Sequence, residues 1–314
     1  MNHRKSCLVI GGQGFIGSHL LPALLKSGKN VISLNRHEVN DSHQVDGITH
    51  ITGDYSNSDL LESLLQKSDE VIHLAYATQP NTSFLDPFSD LSQNVPATLQ
   101  LFKLAAQYHV RMVFVSSGGT VYGEACSIPQ TEDHPTRPIS PYGVTKLTLE
   151  KYAYLYATIY NLNIIIARPS NPYGEGQRPF AGQGFIPTAM ALAYQGKSLT
   201  IYGQTGTVRD YIYISDVVSG LITILNHGEK GEIYNIGSGI GLNNLQVTEL
   251  IQESLQIDDI ILDINHTEKR PFDVENNILD SQKLKKIGWQ PSVTMNEGLE
   301  KTKKWLKKYL QTIT

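Results

Sequence analysis

Tyr142 and Lys146, in the segment Pro141-Tyr142-Gly143-Val144-Thr145-Lys146, are the side chains whose types and spacing best fit acid–base chemistry. On a helix, positions i and i+4 lie on one face about one turn apart. A phenol of ordinary pKa about 10 is a poor base at neutral pH. A neighbouring ammonium favours the phenolate and brings it toward the working range. Beside a hydride acceptor, such a pair takes the proton of a substrate hydroxyl as its carbon gives up hydride. The chemistry would be alcohol–ketone interconversion. Taken alone, the pair fits a half-buried helix start with a solvated lysine better, because the helix is rich in tyrosine (Tyr152, Tyr154, Tyr156, Tyr160). The rest of the chain has to decide.

Upstream, Gly11-Gly12-Gln13-Gly14-Phe15-Ile16-Gly17 follows an apolar strand and opens a helix. Gly11 permits a tight turn, Gly14 lets a pyrophosphate approach the backbone, and Gly17 allows close helix–strand packing. The helix N-terminus, with Phe15 and Ile16, favours the negative charge. This is the context of a dinucleotide site. An acidic residue normally ends the second strand of an NAD site, where Asn35, Arg36 and His37 stand here. Arg36 either faces a 2′-phosphate, which would favour NADP, or stacks on adenine. Asp54 is placed to accept from the adenine amino group, with Tyr55 beside it. His73-Leu74-Ala75-Tyr76 ends a strand and is expected to pass beside the cofactor, His73 itself being a packed histidine.

The elements that must position these residues follow from the pattern of apolar runs. Short runs at Cys7–Ile10, Val31–Leu34, Val71–Ala75, Met112–Ser116 and Asn163–Ala167 alternate with helices at Phe15–Ser27, Ser58–Gln66, about Asn94–Tyr108 and from Tyr142. Val- and Ile-rich runs between amphipathic helices predict an α/β protein with a parallel sheet covered on both faces. The expected division is a dinucleotide-binding domain over 1–170, to which 211–236 returns, and a smaller lobe from 171–210 and 237–314.

Composition sets bounds. The chain has 314 residues, 40% hydrophobic and 18% charged, with a formal net charge of −4. No net basic field exists to displace counter-ions, which argues against a nucleic-acid partner. The basic run Lys301–Lys308 carries Trp305 and Leu306 at helical spacing and reads as a solvated final helix. Two cysteines, Cys7 and Cys126, give neither a disulfide framework nor metal-ligand spacing, so no metal is expected. No apolar stretch approaches the length of a membrane span, and glycines cut short the one near the N-terminus. A cytoplasmic protein is expected.

With Ser116-Ser117-Gly118-Gly119-Thr120-Val121-Tyr122-Gly123 between the glycine turn and Tyr142-x-x-x-Lys146, the chain resembles the extended short-chain dehydrogenase/reductase family. The branch it is most similar to is that of nucleotide-sugar epimerases of the UDP-glucose 4-epimerase type. The likeness runs from Ser6 to Trp305. It includes Arg168-Pro-Ser-Asn171-Pro-Tyr-Gly174, Val208-Arg209-Asp210-Tyr211, Tyr234-Asn-Ile-Gly-Ser-Gly239 and Arg270-Pro-Phe-Asp273.

The resemblance implies a Rossmann-type doubly wound parallel sheet with a smaller α/β substrate-binding C-terminal lobe. It implies NAD as cofactor, a nucleotide-diphosphate sugar as substrate and a homodimer. Tyr142 would be the acid–base, and Lys146 would hold the nicotinamide ribose. Asn94 would stand near the active-site helix, at the cofactor, with a role in positioning, and Asn171, Arg209 and Arg270 would hold the substrate pyrophosphate and ribose. Guanidinium forks suit those phosphate oxygens. Tyr202 would pack the uracil, and Asp273 would accept from a ribose hydroxyl or orient Arg270.

The sequence also departs from the family pattern. Gly118 stands where a serine or threonine relays the proton, leaving Ser117 or Thr120 for that role. Thr78 replaces a lysine that many hexose epimerases carry. Asn277 takes a position whose bulk limits the C2 substituent. A 4,6-dehydratase would need an Asp–Glu pair where Gly118-Gly119-Thr120 stands. A 4-ketoreductase using NADPH is the rival that Asn35-Arg36 supports. A non-catalytic binding module would not need the Tyr142–Lys146 pair.

Overall fold

The structure is a computed structural model describing residues 4–38, 45–269 and 273–313. In chain order its elements begin β1 (Ser6–Ile10), α1 (Phe15–Lys26), β2 (Asn30–Asn35), β3 (Ile48–Thr52), α2 (Ser58–Leu65) and β4 (Glu70–His73). Then come α3 (Pro80–Leu85), α4 (Pro87–Gln107), β5 (Arg111–Val115), α5 (Pro141–Ile159), β6 (Ile164–Pro169) and β7 (Asn171–Tyr173). The second half holds α6 (Phe185–Tyr194), β8 (Leu199–Tyr202), β9 (Val208–Tyr213), α7 (Ile214–His227), β10 (Ile233–Ile236) and β11 (Gly241–Asn243). The chain finishes with α8 (Asn244–Leu255), β12 (Ile264–Thr267), β13 (Asn276–Asn277), α9 (Gln282–Lys286) and α10 (Met295–Ile313).

Strands β4 and β6 are buried along their whole length, Glu70, His73 and Arg168 included, as strands of a sheet covered on both faces are. They belong to a seven-stranded sheet ordered β10-β6-β5-β4-β1-β2-β3, every pairing parallel. The order reverses between β1 and β4, which opens a crevice at the strand ends where ligands bind in doubly wound sheets. A second layer centres on β9, paired with β11, β13 and β7, while β8 pairs with β12.

Several elements differ from the sequence reading. β3 went unread because it is an edge strand that is only partly buried and shows no apolar run. α4 starts at Pro87, well before Asn94. Asp86 caps it by accepting from the Ser89 amide at 2.9 Å, and Pro96 is carried inside it. A proline in a pattern suggests a helix limit, but here it costs one hydrogen bond in a helix anchored on both sides of it. Tyr211–Tyr213, expected to return to the first domain, instead end β9, in the second layer. The chain rejoins the main sheet with α7 and β10.

Two buried ties join the layers and helices. Arg168 on β6 meets Glu150 on α5 through Nε at 3.0 Å and Nη2 at 2.5 Å, and its guanidinium stacks 4.7 Å from the Tyr122 ring. Asp210 on β9 accepts from the Ser238 amide at 2.8 Å, the Ser238 hydroxyl at 2.6 Å and the Leu279 amide at 3.1 Å. Among the described residues, no helix is long and apolar enough to cross a membrane, and no cluster of His, Cys, Asp and Glu could hold a metal ion.

Candidate active site

The glycine turn is shaped for close approach. Gly11 has φ +91°, and a Cβ there would lie 2.8 Å from the Ala75 amide nitrogen; at Gly17 one would lie 2.5 Å from the Gly11 carbonyl oxygen. Gly14 caps α1 with no side chain answering the first-turn amides. Those amides are left for an anionic ligand. A dinucleotide pyrophosphate fits this cradle.

At the end of β2, Asn35 is not turned toward a ribose. Its Oδ1 accepts from the Gln13 amide at 2.8 Å and its Nδ2 donates to Ser33 Oγ at 2.9 Å, so it braces the glycine turn. Arg36 Nε pairs with Asp54 at 2.8 Å, both side chains partly exposed. Burial pushes the Asp54 carboxyl up, but the Ser56 hydrogen bonds and Arg36 outweigh it and leave it below the usual carboxylate range. Tyr55 is buried and meets His73 edge to face, with ring centres 5.1 Å apart. His73 stacks on Phe114, and burial, aided by Lys146, lowers its pKa to about 3. It is a neutral packed histidine. Ala75 sits beneath Gly11, whereas Leu74 and Tyr76 reach the cleft.

Helix α5 begins with Pro141, and Ser140 Oγ accepts from the Gly143 amide at 3.1 Å. Lys146, 3% exposed, donates to the Val115 carbonyl at 2.9 Å, and its Nζ lies 4.1 Å from the Tyr76 ring centre. The Tyr76 and Tyr142 rings meet edge-on at 4.8 Å. Burial lowers the Lys146 pKa to about 7, against the opposing charges of Glu150 and Asp90. Burial and Asp90 push the Tyr142 phenol up. This corrects the expectation of a phenolate favoured by its neighbour. In the protein alone desolvation outweighs the lysine, whose nitrogen is turned to a carbonyl.

Between the cofactor turn and α5 runs the segment 116–120. Ser116, Ser117 and Thr120 line the cleft, and Ser116 Oγ and Thr120 Oγ1 are buried without a hydrogen-bond partner among the described residues. Gly118 faces away from it. A Cβ there would lie 2.4 Å from Leu279 Cδ1 and 2.9 Å from the Arg168 carbonyl oxygen, so this backbone has no room for the family's hydroxyl. Asn277, expected to face the sugar, is 1% exposed behind this segment, donating to the Gly118 carbonyl at 2.9 Å and Gln130 Oε1 at 2.8 Å. Its amide satisfies a loop carbonyl and does not reach the cleft. Asn94 is likewise buried, its Oδ1 accepting from the Ala77 amide at 2.8 Å, and it braces the turn that carries Thr78.

One cleft of about 650 Å³ joins these parts. Gly11, Gly14, Phe15, Ile16 and Gly17 line one end, Tyr142, Lys146 and Thr78 the middle, and Asn171, Tyr202, Arg209 and Asp273 the other. Asn171 Nδ2 donates to the Asp210 carbonyl at 3.3 Å, and Arg209 Nη1 to the Val208 carbonyl at 2.9 Å. Arg270 lies outside the described residues. The sequence reading missed Gln79, Gln177 and the start of α6, all of which line the cleft. The available signal was Gly182-Gln183-Gly184 before an apolar helix, a second glycine turn opening a helix. Gly184, at φ +93°, caps α6 with no side-chain bond.

The profile of the NAD dependent epimerase/dehydratase family matches residues 7–237. A putative UDP-glucose 4-epimerase of Methanocaldococcus jannaschii is 32% identical over 96% of this chain and 98% of that protein. Among solved structures, the UDP-glucose 4-epimerase of Thermotoga maritima, crystallised with UDP-glucose, superposes with a TM-score of 0.90 at 30% identity, covering 97% of this chain and 99% of that one. The dTDP-glucose 4,6-dehydratase DesIV of Streptomyces venezuelae, with NAD bound, gives 0.89 at 29% identity over 98% of each chain. With a glycine cradle, a Tyr–Lys pair and this breadth of likeness, the chain belongs to the NAD dependent epimerase/dehydratase family and is an NAD-dependent enzyme of its epimerase branch.

Proposed function

We propose that the chain is a 4-epimerase of nucleotide sugars, a UDP-hexose or UDP-N-acetylhexosamine. The observation that carries this reading is the single cleft joining the glycine turn, Tyr142–Lys146 and Arg209. Gly11, Gly14 and Gly17 would hold the NAD pyrophosphate, Arg36 and Asp54 would stand at its adenosine end, and Lys146 would hold its nicotinamide ribose. Bound there, NAD supplies a carrier that removes hydride from the sugar C4 and returns it to the opposite face of the 4-keto sugar.

Tyr142 takes and returns the proton of the C4 hydroxyl. In its ammonium form, Lys146 opposes the desolvation that holds the phenol neutral. Thr120 is the relay hydroxyl we favour, because its Oγ1 is buried, unpartnered and on the cleft wall. Its backbone also touches the start of α5, since a Cβ on Gly143 would lie 2.9 Å from the Thr120 carbonyl oxygen. Arg209 and Asn171 bind the substrate pyrophosphate, with Arg270 assigned there from its motif. Tyr202 packs the uracil and Asp273 accepts from the ribose.

The pairing of Arg36 with Asp54 supports NAD over NADP, since the guanidinium already has its anion. Gly118-Gly119 supplies no acidic pair for dehydration. Exposed apolar side chains on α4 and α5, Phe88 at 78% and Ile159 at 68%, support a homodimer through these helices. A free, exposed Cys126 fits a reducing compartment such as the cytoplasm. The test is to incubate the purified protein with UDP-glucose and UDP-N-acetylglucosamine without added cofactor. C4 epimers are expected. Turnover only with added NADPH and a keto-sugar would overturn the epimerase reading in favour of a reductase.

A further inference from the structure

Asp90, in the first turns of α4, is a fully buried acid with 0% exposure. Its Oδ1 accepts a short hydrogen bond from Thr78 Oγ1, and among the described residues its Oδ2 meets no donor. Asn94, one turn on, fixes the same corner by donating to the Asp90 carbonyl at 2.7 Å. A buried carboxylate whose side-chain partner is a hydroxyl is costly to keep. Its charge reaches across the corner. After burial, it is the next cause holding the Tyr76 and Tyr142 phenols up.

A carboxylate only accepts, so the hydroxyl hydrogen of Thr78 is committed to Asp90. Asn94 Nδ2 donates to the same oxygen at 3.5 Å, so what Thr78 offers the cleft is its remaining lone pair. It lines the cleft with Tyr76 and Tyr142. With a sugar's C4 hydroxyl at Tyr142, the substituents nearest this corner are those carried on C3 and C5, the carbons flanking C4. A hydroxyl there can donate to Thr78. A carboxylate has no proton to give, and it would face a buried negative charge that solvent screens poorly.

We propose that the Asp90–Thr78 pair is a charge filter, which accepts a neutral hydroxyl beside the reacting carbon and rejects sugars carrying a carboxylate there, such as hexuronates. Asp90 acts as a positioning residue and Thr78 as the contact. The inference rests on the nucleotide-sugar reading above.

The test is an equilibrium titration of the NAD-loaded protein with UDP, UDP-glucose and UDP-glucuronate. UDP-glucuronate should bind at least about tenfold more weakly than UDP-glucose, as expected for a like charge within a few ångströms of a buried one. In Asp90→Asn the amide can donate to Thr78, which frees the hydroxyl to donate into the cleft, and the two sugars should converge to within about threefold. Thr78→Val keeps the charge and removes the acceptor, so UDP-glucose should weaken while UDP-glucuronate stays excluded. Equal binding of the two sugars by the unaltered protein overturns the filter, as does an unchanged ratio in Asp90→Asn. Because the titration reads binding, a lack of epimer formation would count against the proposed reaction and not against the filter.

Discussion

Lys146 stands between two buried carboxylates that are held in opposite ways. Glu150, one turn further along α5, has both oxygens answered by the Arg168 guanidinium, at 3.0 and 2.5 Å. Asp90, reaching in from α4, has a hydroxyl on one oxygen and nothing on the other. Both charges support the Lys146 ammonium against burial, which nonetheless prevails and brings its pKa to about 7. The lesson is that burial alone does not mark a functional acid. A fully satisfied pair is a structural fastener, whereas an unanswered oxygen beside a cleft is a cost the fold has kept.

The largest expected effect tests the phenol whose proton burial and the Asp90 charge help to hold. Tyr142→Phe should lower turnover by about 10²–10⁴-fold, the range of general acid–base catalysis, with NAD binding retained. Steady-state kinetics and a cofactor titration measure the two. Near-normal turnover would remove the assigned base.

Next is the contrast itself. Glu150→Gln leaves the Arg168 charge buried and poorly matched, and should cost about 3–5 kcal/mol of stability in denaturant unfolding. Asp90→Asn removes a carboxylate that is paired only with a hydroxyl, and should cost less than about 2 kcal/mol. Equal losses would erase the distinction between fastener and functional acid.

The smallest effect concerns the wall behind Lys146. The pKa of His73 is lowered from 6.5 to about 3, by burial first and then by the Lys146 charge. The unfolded chain takes up this proton near pH 6.5 and the folded chain does not. His73 therefore contributes its full stability above that pH, and loses it as pH falls toward 3, by about 1.4 kcal/mol per pH unit. His73→Leu should flatten that slope in melting curves recorded from pH 7 to pH 5. An unchanged slope would place the acid lability elsewhere.

Much of the frame was legible in the sequence. The runs Cys7–Ile10 and Ile164–Ala167 lack a polar face and so had to be interior strands, and the glycine turn stood between one such strand and a helix. The Tyr142–Lys146 spacing pointed to the part of the cleft where the reaction is proposed to occur. What stayed hidden depends on contacts that no local pattern carries. β3 is half-buried on a sheet edge, and the first turns of α4 precede an internal proline. Gly118 and Asn277 face each other behind the cleft wall, so their packing decides roles that their residue types left open. Asp90 carries no mark in the sequence, and only the packing of Thr78 against it sets it apart.

The parallel pairing of β6 with β10, Ile166 beside Ile233, has a consequence for how the chain is made. Everything from β7 to α7 lies between the two strands in sequence, and most of it builds the other layer. Emerging from the ribosome, β6 therefore presents an open edge, apolar except for Arg168, until Ile236 has been synthesised. Late closure of that kind is slow, and open rims recruit other chains. A nascent chain stalled between β7 and β10 should be the most aggregation-prone species this protein passes through, and a truncation ending before Ile233 should behave like it.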